Sequence, residues 1–358
     1  MPSSNEKLHD ELLEQSVAND RTAEGVALIT LALLLALEKK LIAEFISLEL
    51  TIYQRYRLKK FLEKADRSIK KTYVEIKSTI EKNLLEIAVI EKTAVKNAIN
   101  TAMDLDISSV SVDKKGVKSL VDDTLIAGLP LGKWLQEEVE STRMAISGAV
   151  RHGMAVGESA GQITKRITLT SAARKRNAKT LALTSTAVVT QSARIAAYEE
   201  DSDLIGFFYW LSVLDSRTTP QCMALSGLRW TLDKKPIGHK KPWGPPPIHM
   251  RCRSTIIPVL KSWDDLPNAK KQSIDAKTRR LIEKDHDFRG MDGQAPATVD
   301  YETWLKSKSE IFQKTTLGKS RYEMWKTGDI IIKDLIDNSQ RPLTVAQLRD
   351  LVDKRNSR

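Results

Sequence analysis

No glycine or proline falls between Gly25 and Gly116, and ten of the twelve prolines lie at or after Pro220. That distribution constrains the fold more than any other feature. A stretch of about ninety residues without helix breakers, rich in Leu, Ile, Ala, Glu and Lys, predicts long α-helices. The prolines predict loops and short strands in the second half. Within the first stretch, Ile76, Ile80, Leu84 and Ile87, then Val95, Ala98, Ile99 and Ala102, form one apolar face at helical spacing. Glu75, Lys77, Glu81, Lys82 and Glu86 surround it. A face of this kind packs into a core or onto another helix.

The longest apolar run, Val26–Leu37, ends at Glu38-Lys39-Lys40 and is too short to span a bilayer. Acidic residues precede it (Glu6, Asp10, Glu11, Glu14), which is unlike a signal peptide. We expect a buried helix of a bundle and no membrane partner. The net charge of +11 favours an acidic partner, nucleic acid first among them. Two cysteines without a signal peptide indicate a reducing compartment, where a metal site is favoured over a disulfide.

Further along, residues 104–118 are polar with β-branched residues interleaved and predict a linker. Leu129-Pro130-Leu131-Gly132 predicts the start of a helix carrying Trp134, Leu135, Val139 and Ile146, with Gly148, Gly153 and Gly157 loosening its end. A second helix is expected from Ser159. Its segment Ser159–Tyr198 holds Lys165, Arg166, Arg174, Lys175, Arg176, Lys179 and Arg194 and no acid. Such a strip could lie along phosphates, giving sequence-blind contact with DNA, or along an acidic protein surface; alternatively it is a solvated helix face. Phe207–Leu214 and Ser254–Leu260 read as short strands. They bracket a Pro-rich loop without regular structure. Beyond Lys261 the pattern is again helical, with a loop at Gly290–Ala297 and a closing helix at Leu343–Val352.

The expected fold is therefore mainly α (α+β): long N-terminal helices, a central helical domain and a small β-containing module with a clamped loop. The expected segments are 1–110 (N-terminal helices), 119–205 (central helices), 206–262 (β module with the Cys/His loop) and 263–358 (helical C-terminal region).

The loop holds Cys222, His249 and Cys252. A His-x-x-Cys turn with a second Cys arriving from the other end of the loop is spaced like a zinc site. A structural metal would staple a loop that has little regular structure of its own. The fourth position falls to Asp215, His239, a non-metal partner or water. Two free thiols in a packed turn, or a disulfide, are the alternatives. Asp215, at a strand end, also fits a turn cap that pairs with Arg217, Arg251 or Arg253. No His-Glu-x-x-His, His-x-Glu with Pro-Cys-x-x-Cys, Gly-x-Ser-x-Gly or P-loop pattern is present. No catalytic residues are assigned.

These residues resemble a known signature. Asp215-x-Arg217-x-x-x-x-Cys222, Gly227, then Pro246-Pro247-x-His249-x-x-Cys252-Arg253, is similar to the pattern of the phage Mu protein F-like head morphogenesis family, the minor capsid proteins of tailed bacteriophages and prophages. Trp134, Ser159–Tyr198, Tyr301-Glu302-x-Trp304-Leu305 and Leu317-Gly318-x-x-Arg321 extend the resemblance over roughly residues 130–350. Family members often carry further cysteines where this chain has Thr219 and Ser254, so a four-cysteine site is not available here. The resemblance implies a non-enzymatic role in procapsid assembly near the portal. It implies portal, scaffold or major capsid protein as partner, contact with packaged DNA, and a place inside the virion after assembly in the host cytoplasm. Two rivals stand beside it: a metal-dependent nuclease or hydrolase using Asp215, Cys222, His249 and Cys252, and an internal DNA-binding protein ejected with the genome.

Overall fold

The computed structural model describes residues 2–47, 55–105, 112–284, 290–292, 295–297 and 299–357. The long breaker-free stretch forms two helices, α1 (Ser4–Ile46) and α2 (Arg55–Met103). All eight positions of the apolar face read on α2 are buried. Of the segment expected as a linker, residues 104–118, positions 106–111 lie outside the described residues, and its end opens a helix, α3 (Lys114–Asp122), started by the Asp113 side chain, which accepts from the backbone N–H groups of Lys115 and Gly116. A two-residue hairpin, β1 (Leu125–Ile126) with β2 (Leu129–Pro130), then leads into α4 (Leu131–Ala155). The Trp134 indole N–H donates to the Ile126 carbonyl at 2.7 Å and pins the hairpin to the helix.

Glycine closes α4 rather than loosening it. Gly157, at φ +75°, ends the helix with the paired bonds Glu158 N–H to Gly153 O and Gly157 N–H to Met154 O. Gly153 is required by close approach: a Cβ there would lie 2.5 Å from Ile163 of the next helix. That helix, α5 (Ala160–Glu200), starts at a Ser159/Gln162 capping box.

Helix α5 is the central strut. It packs on α1, α2 and α4 through Ala178, Leu181, Ala182, Val189 and Ala193, small enough in the main to bring helix backbones close. The strand pattern after it holds. β3 (Ile205–Leu211) pairs antiparallel with β6 (Thr255–Leu260), Tyr209 opposite Ile257. Between them the chain is more regular than expected. It forms α6 (Pro220–Leu225), β4 (Arg229–Thr231) and β5 (Pro236–Ile237), and the sheet order is β5-β4-β3-β6.

The C-terminal part adds α7 (Asn268–Ser273), α8 (Ala276–Ile282), α9 (Tyr301–Lys306), α10 (Glu310–Leu317), α11 (Lys319–Thr327), a 3-10 turn at Ile332–Leu335 and α12 (Val345–Asn356). Where a loop was expected at Gly290–Ala297, Gly290–Asp292 (β7) and Ala295–Ala297 (β8) pair antiparallel, and residues 293–294 lie outside the described residues. The architecture is mainly α with a small antiparallel sheet.

Two apolar clusters make the core. One lies within the bundle of α1, α2, α4 and α5, reaching from Val26 to Ala193. The other gathers the start of α1, the ends of α2 and α5, the sheet and the C-terminal helices, from Leu8 to Leu348. Packing thus joins the first residues to the β module. The His9 ring N–H donates to the Pro258 carbonyl at 3.0 Å, and Asn5 accepts from the Leu260 N–H at 2.8 Å. Between the clusters, Arg194 of α5 is buried against Glu91 of α2 at 2.5 Å. It also donates to Ser16 of α1 and Thr255 of β6, and Asn19 donates to Glu91.

Candidate metal centre and the clasped loop

The excursion from β3 to β6 returns to its starting point because charge closes its base. Asp215 follows β3 and Arg253 precedes β6. The Arg253 guanidinium donates to both carboxylate oxygens at 2.7 and 2.8 Å, a bidentate pair. Arg217 donates to Asp215 from its backbone and its side chain, and Thr218 adds its hydroxyl at 3.1 Å. Burial alone would raise the Asp215 pKa, but Arg253 with these other donors outweighs it and holds the carboxyl down at about 2. The turn-cap reading of Asp215 is the observed one, with Arg217 and Arg253 as partners. Arg251 instead bends the backbone at φ +60° and sends its N–H to Thr184 of α5.

Above this base sit the two cysteines. Thr219 caps α6 and Pro220 occupies its first turn, so Cys222 is held on a helix whose start is fixed. On the other arm, Pro246-Pro247 leads into a tight turn in which Cys252 N–H bonds to His249 O at 3.2 Å. That turn carries His249 and Cys252 to Cys222. Cys222 Sγ lies 3.2 Å from His249 Nε2 and 3.6 Å from Cys252 Sγ, and the three donor atoms all lie within 4.8 Å of one another. Both thiols are free and buried, and His249 is half-buried.

The imidazole is oriented for ligation. Nδ1 faces the Met250 carbonyl at 3.0 Å and donates to it, which leaves Nε2 turned to the sulfurs and the Thr219 hydroxyl. The proton distribution is uneven. The Cys222 thiol donates to Cys252, which with His249 beside it holds Cys252 well below the usual thiol range despite burial. Cys222 is pushed up correspondingly. His249 is raised by its bond to Cys252.

Of the candidate fourth ligands, neither joins the group. Asp215 is committed to Arg253 and Arg217. His239 accepts from the Lys241 N–H, donates to the Arg229 carbonyl and stands edge-on to Trp230. That ring contact belongs to an aromatic pile of Phe208, Trp230, His239 and Trp243, which packs the Lys/Pro/Gly run onto the sheet. His249 also lines a cleft of about 230 Å³ between the prolines and Thr184, Val188 and Gln191 of α5.

The whole unit from the second half of α4 through α5, β3 and the clasp into β6 coincides with a known domain. Residues 144–257 match the family model described as Phage Mu protein F like protein. Residues 144–257 form a Mu F-like domain. No curated protein and no solved structure matches the chain. The Mu F-like match begins on α4, past α1 to α3, and ends within β6, so the C-terminal helices lie outside it. That C-terminal segment nonetheless holds the clasp through α9 and the stretch after the 3-10 turn. Tyr301 donates its hydroxyl to the Asp215 carbonyl and its N–H to Ser226, and Gln221 and Lys241 donate to carbonyls of residues 336–340.

The basic strip lies on α5, upstream of the clasp, and most of its charge is answered from other helices. Arg166 pairs with Glu158, Arg174 with Glu138, Lys175 with Glu38 and Lys179 with Glu24. Arg194 is inside the protein. Lys165 and Arg176 are exposed, and neither has an ion-pair partner among the described residues. Sequence reasoning missed α6, whose Thr-Pro start is a recognisable helix signal. It also missed the anchoring of the clasp by Tyr301 and Ser226, for which a linear pattern carries no sign.

Proposed function

We propose that this chain is a minor, non-enzymatic component of a tailed-phage head, acting in procapsid assembly beside the portal and remaining inside the virion. The match of residues 144–257 to the Mu F-like family is the observation that carries this reading. The chemistry of the clasp supports it. Asp215, the carboxylate a nuclease would use, is neutralised by Arg253, and both cysteines are buried. Among the described residues, no helix is long and apolar enough to cross a membrane.

We further propose that Cys222, His249 and Cys252 hold zinc as a structural staple. A tetrahedral zinc with Zn–S bonds of about 2.3 Å sets two sulfurs roughly 3.7 Å apart, close to the 3.6 Å between Cys222 and Cys252. The lowered pKa of Cys252 favours the thiolate form that a metal takes, and the Met250 carbonyl fixes the imidazole tautomer. The metal would link α6 to the strand-entry turn; no bond in any substrate is made or broken.

Pull-down of the full chain against portal, scaffold and major capsid proteins, with quantification in mature virions, tests the assembly role. Low-copy recovery from virions together with specific portal capture is expected; absence from both procapsids and virions retires the reading. Elemental analysis tests the staple. About one zinc per chain is expected, lost in Cys252→Ser along with several degrees of melting temperature. A metal-free wild-type protein purified without chelator would retire zinc while leaving the assembly role standing.

A further inference from the structure

The most apolar stretch of the chain is only half buried. Within Val26–Leu37 of α1, Val26, Ala27, Thr30, Leu34 and Leu37 face the bundle. The opposite side shows Leu28 at 61 %, Ile29 at 48 % and Leu35 at 44 % exposure, with Ala32 and Ala36 exposed on the same stripe. A helix that is apolar all round is normally covered on all sides. Here three large apolar side chains stand within eight positions on one stripe, which is a patch and not scattered exposure. From Gly25 to Ala36 it runs about 17 Å at the helical rise.

We propose that this stripe is the contact through which two copies of the chain pair, α1 against α1, antiparallel about a two-fold axis at Ala32. Small and large residues alternate along it: Gly25, Ala32 and Ala36 against Leu28, Ile29 and Leu35. Related by the two-fold, Leu28 meets the partner's Ala36, Leu35 meets the partner's Ile29, and Ala32 meets its own copy. Isologous contacts have this form, with residue i on j and j on i. Small residues let the helix axes approach, and the large ones fill the gaps.

Charge selects the direction. The stripe is bounded at its N-terminal end by Glu24, whose side chain is 51 % exposed even while paired with Lys179, and at its C-terminal end by the exposed Lys39. An antiparallel pair sets each Lys39 beside the partner's Glu24, on the same flank. A parallel pair would put Glu24 on Glu24 and Lys39 on Lys39. Unlike charges at the ends and an apolar middle fit a second copy of this stripe.

Sedimentation velocity on the full chain is expected to give a dimer of twice 40.2 kDa. Leu28→Glu combined with Leu35→Glu should weaken dimerisation by at least about tenfold, with unchanged helical circular dichroism. Ala32→Cys reads the register independently. Mild oxidation should join two chains through position 32, while the wild-type protein, whose cysteines are both buried, stays uncross-linked. A monomer at the highest soluble concentration, a dimer that survives both glutamates, or an Ala32→Cys chain that does not cross-link each overturns the proposal. If the double variant does not fold, the cross-link alone decides. A stripe that captures another head protein while the chain itself stays monomeric also overturns it.

Discussion

Asp215 concentrates several bonds in one carboxylate: two from Arg253, three from Arg217 and one from Thr218. Its folded pKa of about 2 lies below the unfolded value near 3.9. The sign is that of a depressed acid: its stabilisation is fully present above about pH 4 and is lost as pH falls through about 2. The group is partly solvated, so after screening we assign it about 1–2 kcal/mol. Asp215→Asn is expected to cost that much by urea unfolding at pH 6 and close to nothing at pH 2; an equal loss at both would assign the residue a different role. The sequence made Asp215 both a metal candidate and a cap. Spacing alone could not separate the two, because the deciding partner, Arg253, lies 38 positions away across the loop. Cys222, His249 and Cys252 were legible because their residue types have few uses in combination. The opposite pKa shifts of the two thiols were not, since they depend on how the sulfurs and the imidazole meet in space.

At the level of elements, the long helices and the β3 and β6 strands follow from local pattern: absent breakers, helical spacing, and β-branched or aromatic runs. The short pieces do not. β4 has three residues and β5 two, too few for a period to register. Helix α5 shows the limit differently. An acid-free strip of cations looks like a phosphate track in one dimension. In the fold, Glu24 and Glu38 come from α1 and Glu138 from α4 to meet it. The remaining exposed pair, Lys165 and Arg176, gives a testable figure. If α5 grips DNA only through them, log Kobs should fall against log salt with a slope of about −2, whereas the six cations of the strip other than the buried Arg194 would give about −5. Titration of duplex binding between low and moderate salt distinguishes these. A slope near −5 would mean that the intramolecular pairs open on DNA, and a flat response would remove DNA as a partner of this helix.

Across the whole molecule, the buried Arg194–Glu91 pair ties the bundle to the sheet, with Ser16, Asn19 and Thr255 around it. Breaking it one-sidedly leaves a charge with no water, so Arg194→Met is expected to cost about 3–5 kcal/mol, and adding Glu91→Leu should restore most of the loss. Urea midpoints of the two single variants and the double variant measure this; a double variant no more stable than either single would contradict it. The union of α1 with β6 sets a further condition, on how the chain is made. His9 and its acceptor on Pro258 are 249 positions apart. At roughly 5–20 residues per second of synthesis, that gap takes on the order of ten to fifty seconds to translate. For that interval the opening turns of α1, with Leu8, Leu12 and Leu13 awaiting their core, have emerged from the ribosome without the strand they dock on. The docking of β6 on α1 thus joins a segment made early to one made late.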